Sequence, residues 1–333
     1  EMIGKLYTEG QQIEHPNEVL FAIVMLGRSE EKLGSRVTAE RRYREALGID
    51  VNHLPAWESI GPLMYSQSRW ADARVAYEKI VNLSPKAKPL APVCMRLGEI
   101  LEKLGKDEEA LFPYRQAVEL DPEMDAAGEA LIRLYKKYEL WEDLVSLHKI
   151  QLNAATAADR IFSLHLEIAA LSEERLKAWD DAILNYLQAL EVKPDFASAH
   201  EKLYELYQLK GDWESAVSSL KNLLKYESNP GKISELMFSL GEIYDTKLSQ
   251  PEAALDIYRK AGDTNPANLK VWQSMALLAE RIEKWEEAAK ALEELTARSA
   301  PEQKKEPAFK LGTIYKEKLG KVDLAIRSYE LAL

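Results

Sequence analysis

A few stretches of this 333-residue chain hold residue types whose spacing invites a chemical reading. Gly98 and the pair Gly105-Lys106 suggest a phosphate cradle, which needs backbone amides exposed in a loop after a strand. Here six residues separate the two glycines, Asp107 stands where a Ser or Thr hydroxyl belongs, and Leu97, Ile100, Leu101 and Leu104 impose a helical period. Asp121, Glu123 and Asp125 have the alternation of a calcium loop. That loop needs Gly sixth and Glu twelfth, and those places hold Ala126 and Ile132. The five histidines (His15, His53, His148, His165 and His200) show no zinc-ligand spacing, and one cysteine cannot supply a thiolate set. Cys94 lies between Val93 and Met95 and reads as a buried, inert thiol. Glu108-Glu109 and Asp180-Asp181 fall where helices should begin, so they suit the positive end of a helix dipole better than acid–base catalysis. No serine-nucleophile elbow or kinase loop occurs, and the sequon Asn82-Leu83-Ser84 falls at an expected helix end. The expectation is a chain with no catalytic, cofactor-binding or metal-ligating residues, hence not an enzyme.

The elements that position every side chain are repeats. An Ala, a Tyr four residues later and an Ala three after that recur at Ala39-Tyr43-Ala46, Ala110-Tyr114-Ala117, Ala182-Tyr186-Ala189, Ala254-Tyr258-Ala261 and Ala325-Tyr329-Ala332. Looser copies lie between them, at Ala73-Tyr77-Ile80, Leu144-His148-Gln151, Ala216-Leu220-Leu223 and Ala288-Leu292-Leu295. Upstream of these runs a second apolar stripe, often centred on Leu-Gly, as at Leu26-Gly27, Leu97-Gly98, Leu240-Gly241 and Leu311-Gly312. Spacings of three and four place each set on one helix face. Small residues let the two helices of a unit approach closely. Gly105 and Gly211 mark turns, while Pro85, Pro122, Pro194 and Pro266 end the second helices, since proline lacks the amide and clashes with the preceding turn.

A longer period is superimposed. The leading positions Ala39, Ala73, Ala110, Leu144, Ala182, Ala216, Ala254, Ala288 and Ala325 are separated by gaps that alternate between 34 and 37 or 38. Trp70, Trp141, Trp213 and Trp285 follow at intervals of 71, 72 and 72. The true repeat is therefore a pair of units. Its extra length is expected in the connections 86–92, 153–159, 228–234 and 300–307, either as loops offered to a repetitive partner or as longer helix ends. One further residue belongs to the turns near Ser249 and Gly320. The tryptophans read as packing wedges at the turns.

Trp57-x2-Ile60-Gly61…Ala73-x3-Tyr77…Pro85 resembles the tetratricopeptide repeat, as do Leu97-Gly98…Ala110-x3-Tyr114-x2-Ala117…Pro122 and Leu311-Gly312-x2-Tyr315…Ala325-x3-Tyr329-x2-Ala332. The resemblance covers residues 20–333, about nine repeats with the last truncated. Residues 1–15 (Ile3, Leu6, Tyr7) would be the second helix of an incomplete preceding repeat. It implies an all-α fold: a right-handed α-solenoid of stacked antiparallel helix pairs, whose first helices line a concave face that holds a partner peptide or helix. On helical phase the candidates for that face are Arg28, Tyr65, Glu99, Arg133, Lys136, Lys137, Glu167, Glu201, Glu205, Phe238, Glu242, Asp245, Gln273 and Glu280. Arg133, Lys136 and Lys137 form a basic cluster, Glu201, Glu205, Glu242 and Asp245 an acidic stretch, and Tyr65 and Phe238 exposed apolar anchors. The subfamily that grips chaperone carboxylate tails uses paired Lys and Asn on adjacent first helices, and the corresponding places here do not carry that set.

A net charge of −11 argues against phosphate-backbone binding and so against nucleic-acid partners. The triplet Arg41, Arg42 and Arg44 has Glu40 and Glu45 at hand for intrahelical pairing. The longest apolar run, Leu20–Leu26, is far short of the roughly 20 residues a membrane span needs. Both ends fall inside the repeat pattern, which suggests a piece of a longer protein. The expected function is a non-catalytic protein-interaction scaffold. The alternative is a regulatory or targeting array for an enzyme or membrane module outside this stretch, and apolar stripes at the ends would allow self-association. The Glu-Lys-Leu-Gly style resembles bacterial arrays, which occupy cytoplasm and periplasm alike; the cytoplasm is the weakly favoured expectation.

Overall fold

The computed structural model describes residues 16–333; the expected helix over 1–15 lies outside them. Two compact units divide the chain, one ending at Leu176 and the other running Lys177–Leu333. Among the described residues there are helices, turns and two short 3-10 segments, and no strand.

In the first unit α1 (Pro16–Lys32) packs on α2 (Arg36–Ile49), α3 (Leu54–Ser66) on α4 (Trp70–Leu83), α5 (Ala91–Lys103) on α6 (Asp107–Leu120), and α7 (Asp125–Lys137) on α8 (Trp141–Ala154). Helix α9 (Ala158–Glu174) closes it against α8. In the second unit α10 (Trp179–Val192) is followed by the pairs α11 (Ala197–Lys210) with α12 (Trp213–Tyr226), α13 (Pro230–Thr246) with α14 (Pro251–Thr264), α15 (Leu269–Arg281) with α16 (Trp285–Arg298), and α17 (Lys305–Glu317) with α18 (Val322–Ala332). Each pair also packs on the next within its unit, so each unit is a solenoid of stacked antiparallel helix pairs.

The small–aromatic–small pattern is the seam of each pair. Ala39, Ala110, Ala182 and Ala254 are fully buried, as is Tyr43. At Gly98 the approach is so close that a Cβ would lie 2.5 Å from the Tyr114 ring. Glycine is therefore required there by contact, not by backbone freedom. Tyr114 then donates to Glu102 Oε2 (2.7 Å), which ties the second helix to the last turn of the first.

Every turn inside a repeat has one residue with positive φ, at 34, 68, 105, 139, 177, 211, 249, 283 and 320 among the described residues. Their spacing repeats the alternation read from the sequence. Gly105 and Gly211 meet the requirement without strain, whereas Ser68, Glu139, Lys177, Ser249 and Glu283 adopt it at a cost. The turns at Ser249 and Gly320 hold the expected extra residue. Gln250 N reaches back to Tyr244 O and Lys321 N to Tyr315 O, six residues, where Arg69, Lys106 and Asp212 reach back five. Second helices stop as expected two residues before Pro85, Pro122, Pro194 and Pro266.

The connections after even repeats are not free loops. Helices α9 and α13 take up the extra length as 17-residue helices, and short 3-10 turns (Lys88–Leu90, Pro301–Gln303) lead into α5 and α17. Asn229 caps α13 through its side-chain oxygen, accepting from Gly231 N and Lys232 N.

Candidate functional site

Several of the candidate residues on the first helices reach a partner on the neighbouring repeat. In the first unit Arg28 donates to Ser59 Oγ (2.9 Å). Tyr65 is half-buried. Its hydroxyl reaches Glu99 Oε2 (3.0 Å), Arg96 lies 4.5 Å over its ring, and Trp70 meets it edge-on. Glu99 is also paired with Arg96 (2.7 Å). Arg133 pairs with Glu102 (2.6 Å) and Lys137 with Asp107 (2.5 Å), both on the preceding repeat. The Lys137 ammonium holds the Asp107 carboxyl below the usual carboxylate range.

The expected basic cluster is thus largely neutralised. Of its three members only the exposed Lys136 has no carboxylate partner. The reason was legible only once the repeats were stacked: a residue in the last turn of one first helix faces acids about 30 positions earlier. Such exposed pairs contribute little to stability, about 0–1 kcal/mol each, but they fix the side chains against their neighbours.

The second unit differs. Glu201, Glu205 and Glu242 are exposed. Glu205 has only Lys202, 3.4 Å away on its own helix. Asp245 is paired with Arg281 of the next first helix. Phe238 is not the exposed anchor expected: it is half-buried with its ring 5.7 Å from Tyr258 on the partner helix. Gln273 and Glu280 line a small pocket between α15, α16 and α17. Glu201 lines a larger one of about 340 Å³ with Glu227, Glu235, Leu223, Leu236 and Lys232. Three carboxylates face a single lysine there, which itself lies 3.8 Å from Glu227. Glu227 also accepts from the Ser228 and Asn229 amides, which lowers its proton affinity.

The turn tryptophans are half-buried, and three of them carry a cation from the residue just past the end of the next first helix. Arg175 lies 4.8 Å over Trp141, Lys247 4.9 Å over Trp213 and Lys318 4.6 Å over Trp285. These cations recur at intervals of 72 and 71, within one residue of the 72 and 72 that separate Trp141, Trp213 and Trp285. That near-coincidence was available in the sequence, but nothing in it says that residues 33 or 34 apart stack.

Other chemistry-bearing residues are absorbed by packing. Cys94 is fully buried and its thiol is pushed up to about 11 by that burial. His148 is buried, with Nδ1 donating to Gln151 Oε1 (3.2 Å) and Nε2 3.4 Å from Glu167. Burial drives its pKa down, and the Glu167 charge opposes this. Arg42 and Arg44 pair with Glu45 and Glu40 on their own helix. Among the described residues no cluster of potential metal ligands occurs, and no helix is long and apolar enough to cross a membrane.

A curated relative, the human Protein O-mannosyl-transferase TMTC1, is 24% identical over 197 residues, 59% of this chain. The chain spans 22% of the length of that relative. Among solved structures, MamA (20% identity) aligns over 52% of this chain and 90% of its own with a TM-score of 0.36. A tetratricopeptide repeat protein from Parabacteroides merdae ATCC 43184 (16% identity) aligns over 78% and 98% with the same score. The tetratricopeptide repeat family model matches residues 91–124, the α5–α6 pair with its Gly98–Tyr114 contact and its left-handed turn at Gly105. The same turn and seam return along the chain at the alternating spacing, and the chain is a tandem array of tetratricopeptide repeats.

Proposed function

We propose that this array is a non-catalytic scaffold that binds a basic segment of another protein on the first-helix face of its second unit. The observation that carries this reading is the imbalance of partners. In the first unit the groove cations Arg133 and Lys137 are spent on neighbouring carboxylates. In the second, Glu201, Glu205 and Glu242 stay exposed, and Glu201 opens into a pocket with Glu227 and Glu235. A lysine or arginine would find two uncompensated carboxylates there, with Leu223 and Leu236 to cover its stem.

Fluorescence anisotropy with labelled peptides of equal length tests this. Lysine-rich peptides should bind, acidic and uncharged ones should not, and binding should weaken as salt rises. Glu201→Gln with Glu235→Gln should weaken the basic peptide about tenfold, the scale of ~1.4 kcal/mol. Equal binding of acidic and basic peptides would sink the proposal.

A second reading is favoured by the comparison with TMTC1, of which the chain matches less than a quarter. On that reading the array is the recognition module of a larger protein whose enzymatic or membrane part lies elsewhere. Binding data from the array fused to such a part would separate the two.

A further inference from the structure

A different opening in the second unit points to a specific side chain. Helices α10 and α12, with α11 behind them, leave a pocket of about 440 Å³, within the range of ligand sites. Its origin lies in the two-unit register. Five residues after the leading Ala of an odd repeat stand Arg115 and Arg259, and one residue before the leading position of the next repeat stand Asp143 and Glu287. Each pair closes the space between two second helices, Arg115 to Asp143 at 2.8 Å and Arg259 to Glu287 at 3.3 Å. The corresponding residues at the pocket are Leu187 and Ser215, so the bridge is missing.

Two further positions fit the same vacancy. Arg115 donates from Nε and Nη2 to the Tyr135 hydroxyl (3.1 Å each), its guanidinium 5.9 Å from the ring centre. Tyr207 occupies Tyr135's place and lines the pocket with no guanidinium over it. His200 occupies the place of Trp57 and Trp272. All three rings donate to the carbonyl six residues earlier: Trp57 to Val51 (2.8 Å), His200 to Pro194 (2.9 Å) and Trp272 to Pro266 (3.0 Å). His200 keeps that bond and gives up the volume of an indole.

We propose that this pocket is a socket for an arginine side chain supplied by a partner protein, which takes the place of the intramolecular Arg115-type bridge. Leu187, Leu190 and Leu203 would flank its methylene stem, the Tyr207 ring would take the guanidinium face, and Glu191 and Ser218 would accept its N–H groups. Glu191 is the one charged residue among those lining the pocket, and no Lys or Arg lines it. The two pockets share Tyr226, but the contacts assigned here to Leu187, Glu191 and Ser218 belong to the socket alone and do not depend on the reading given to the Glu201–Glu235 pocket.

Methyl-labelled protein titrated with Ac-Gly-Arg-Gly-NH2 tests it, with Ac-Gly-Lys-Gly-NH2 as control. The arginine peptide should shift the Leu190 and Leu203 methyls saturably and bind at least fivefold more tightly than the lysine peptide. Leu187→Arg with Ser215→Asp rebuilds the bridge and should abolish those shifts while raising the urea midpoint. Ser218→Trp, at an exposed position, should abolish them by filling the mouth. Glu201→Gln should leave them unchanged. Equal affinity for the two peptides, shifts confined to Leu236, or a response that survives in both filled variants would overturn the proposal. So would concentration-dependent shifts of the same leucines without peptide, which would give the pocket to a second copy of the chain.

Discussion

Replacing Gly98 by Ala gives the sharpest test of how the repeats are built. An ideal Cβ at 98 would lie 2.5, 2.6 and 2.7 Å from three atoms of the Tyr114 ring. Ordinary carbon contacts lie at about 3.5–4.0 Å, so the ring must move by ~1 Å. It has little room, because Tyr114 is 1% exposed and its hydroxyl is held by Glu102 at 2.7 Å. Overpacking of this kind costs about 1–3 kcal/mol, and a strained bond to a carboxylate adds about 1 kcal/mol. Alanine regains about 0.5–1 kcal/mol through helix propensity. The net expectation is a loss of about 1–3.5 kcal/mol, read from urea unfolding followed by circular dichroism. Gly48, also helical, has nothing within 4 Å of its Cβ position, so Gly48→Ala should gain about 0.5–1 kcal/mol by the same propensity term. Opposite signs for one substitution in two helices are the prediction. If both variants shift the midpoint the same way, the close Gly–Tyr approach does not set the spacing of the pair.

The other predictions can be checked with the same assay. Burial lowers the pKa of His148 in the fold, so the unfolded chain binds the proton more readily. Stability is therefore complete above the unfolded value near 6.5 and should fall as pH drops below it. His148→Leu, the residue type at 220 and 292, should flatten that fall between pH 7 and 5. Glu139 sits in a turn at φ 55°, and Glu139→Gly should stabilise by about 0.5–1 kcal/mol as the strain is relieved. No change in midpoint there would mean the turn relaxes in solution. Lys318→Gln should cost about 0.5–1 kcal/mol by removing the cation over Trp285, and Lys318→Arg should retain it. The intrinsic fluorescence of Trp285, observed with the other tryptophans replaced by Phe, should respond to the first variant and not the second.

Much of the scaffold was legible because repetition averages out local ambiguity. One Ala-Tyr-Ala triplet is a weak signal, but the same triplet at alternating gaps fixes turns, seams and helix ends together, and the left-handed residues fall at those gaps. The connections were harder to read. Whether three or four added residues form a loop or lengthen a helix depends on local caps such as Asn229, which the period does not encode. The candidate face was legible only as a set of positions. Helical phase places Arg133 and Lys137 on the first-helix surface, yet it says nothing about Glu102 and Asp107 lying opposite, because that needs the rise and rotation from one repeat to the next. Phe238 and Tyr65 were misjudged for the same cause: a residue turned away from its partner helix by phase can still lean on a neighbouring ring.

The departures from the repeat say more about recognition than its regularities do. Where the pattern is kept, polar residues on neighbouring helices satisfy each other, as Tyr114, Glu102 and Arg133 do in one chain of contacts. A surface so engaged must break its own bonds before it can bind anything. Around α10–α13 the pattern lapses several times together: Leu187 for Arg, Ser215 for an acid, His200 for Trp, and carboxylates at 201 and 205 with little to answer them. Each lapse removes an intramolecular partner and leaves space or charge uncompensated, so a ligand there displaces only water. The stretch between residues 187 and 242, which holds both pockets, is therefore the one to perturb first. Restoring the lost partners one pair at a time should then convert a binding surface into an ordinary, more stable piece of solenoid, and each gain in stability should be matched by a loss of binding at that pair alone.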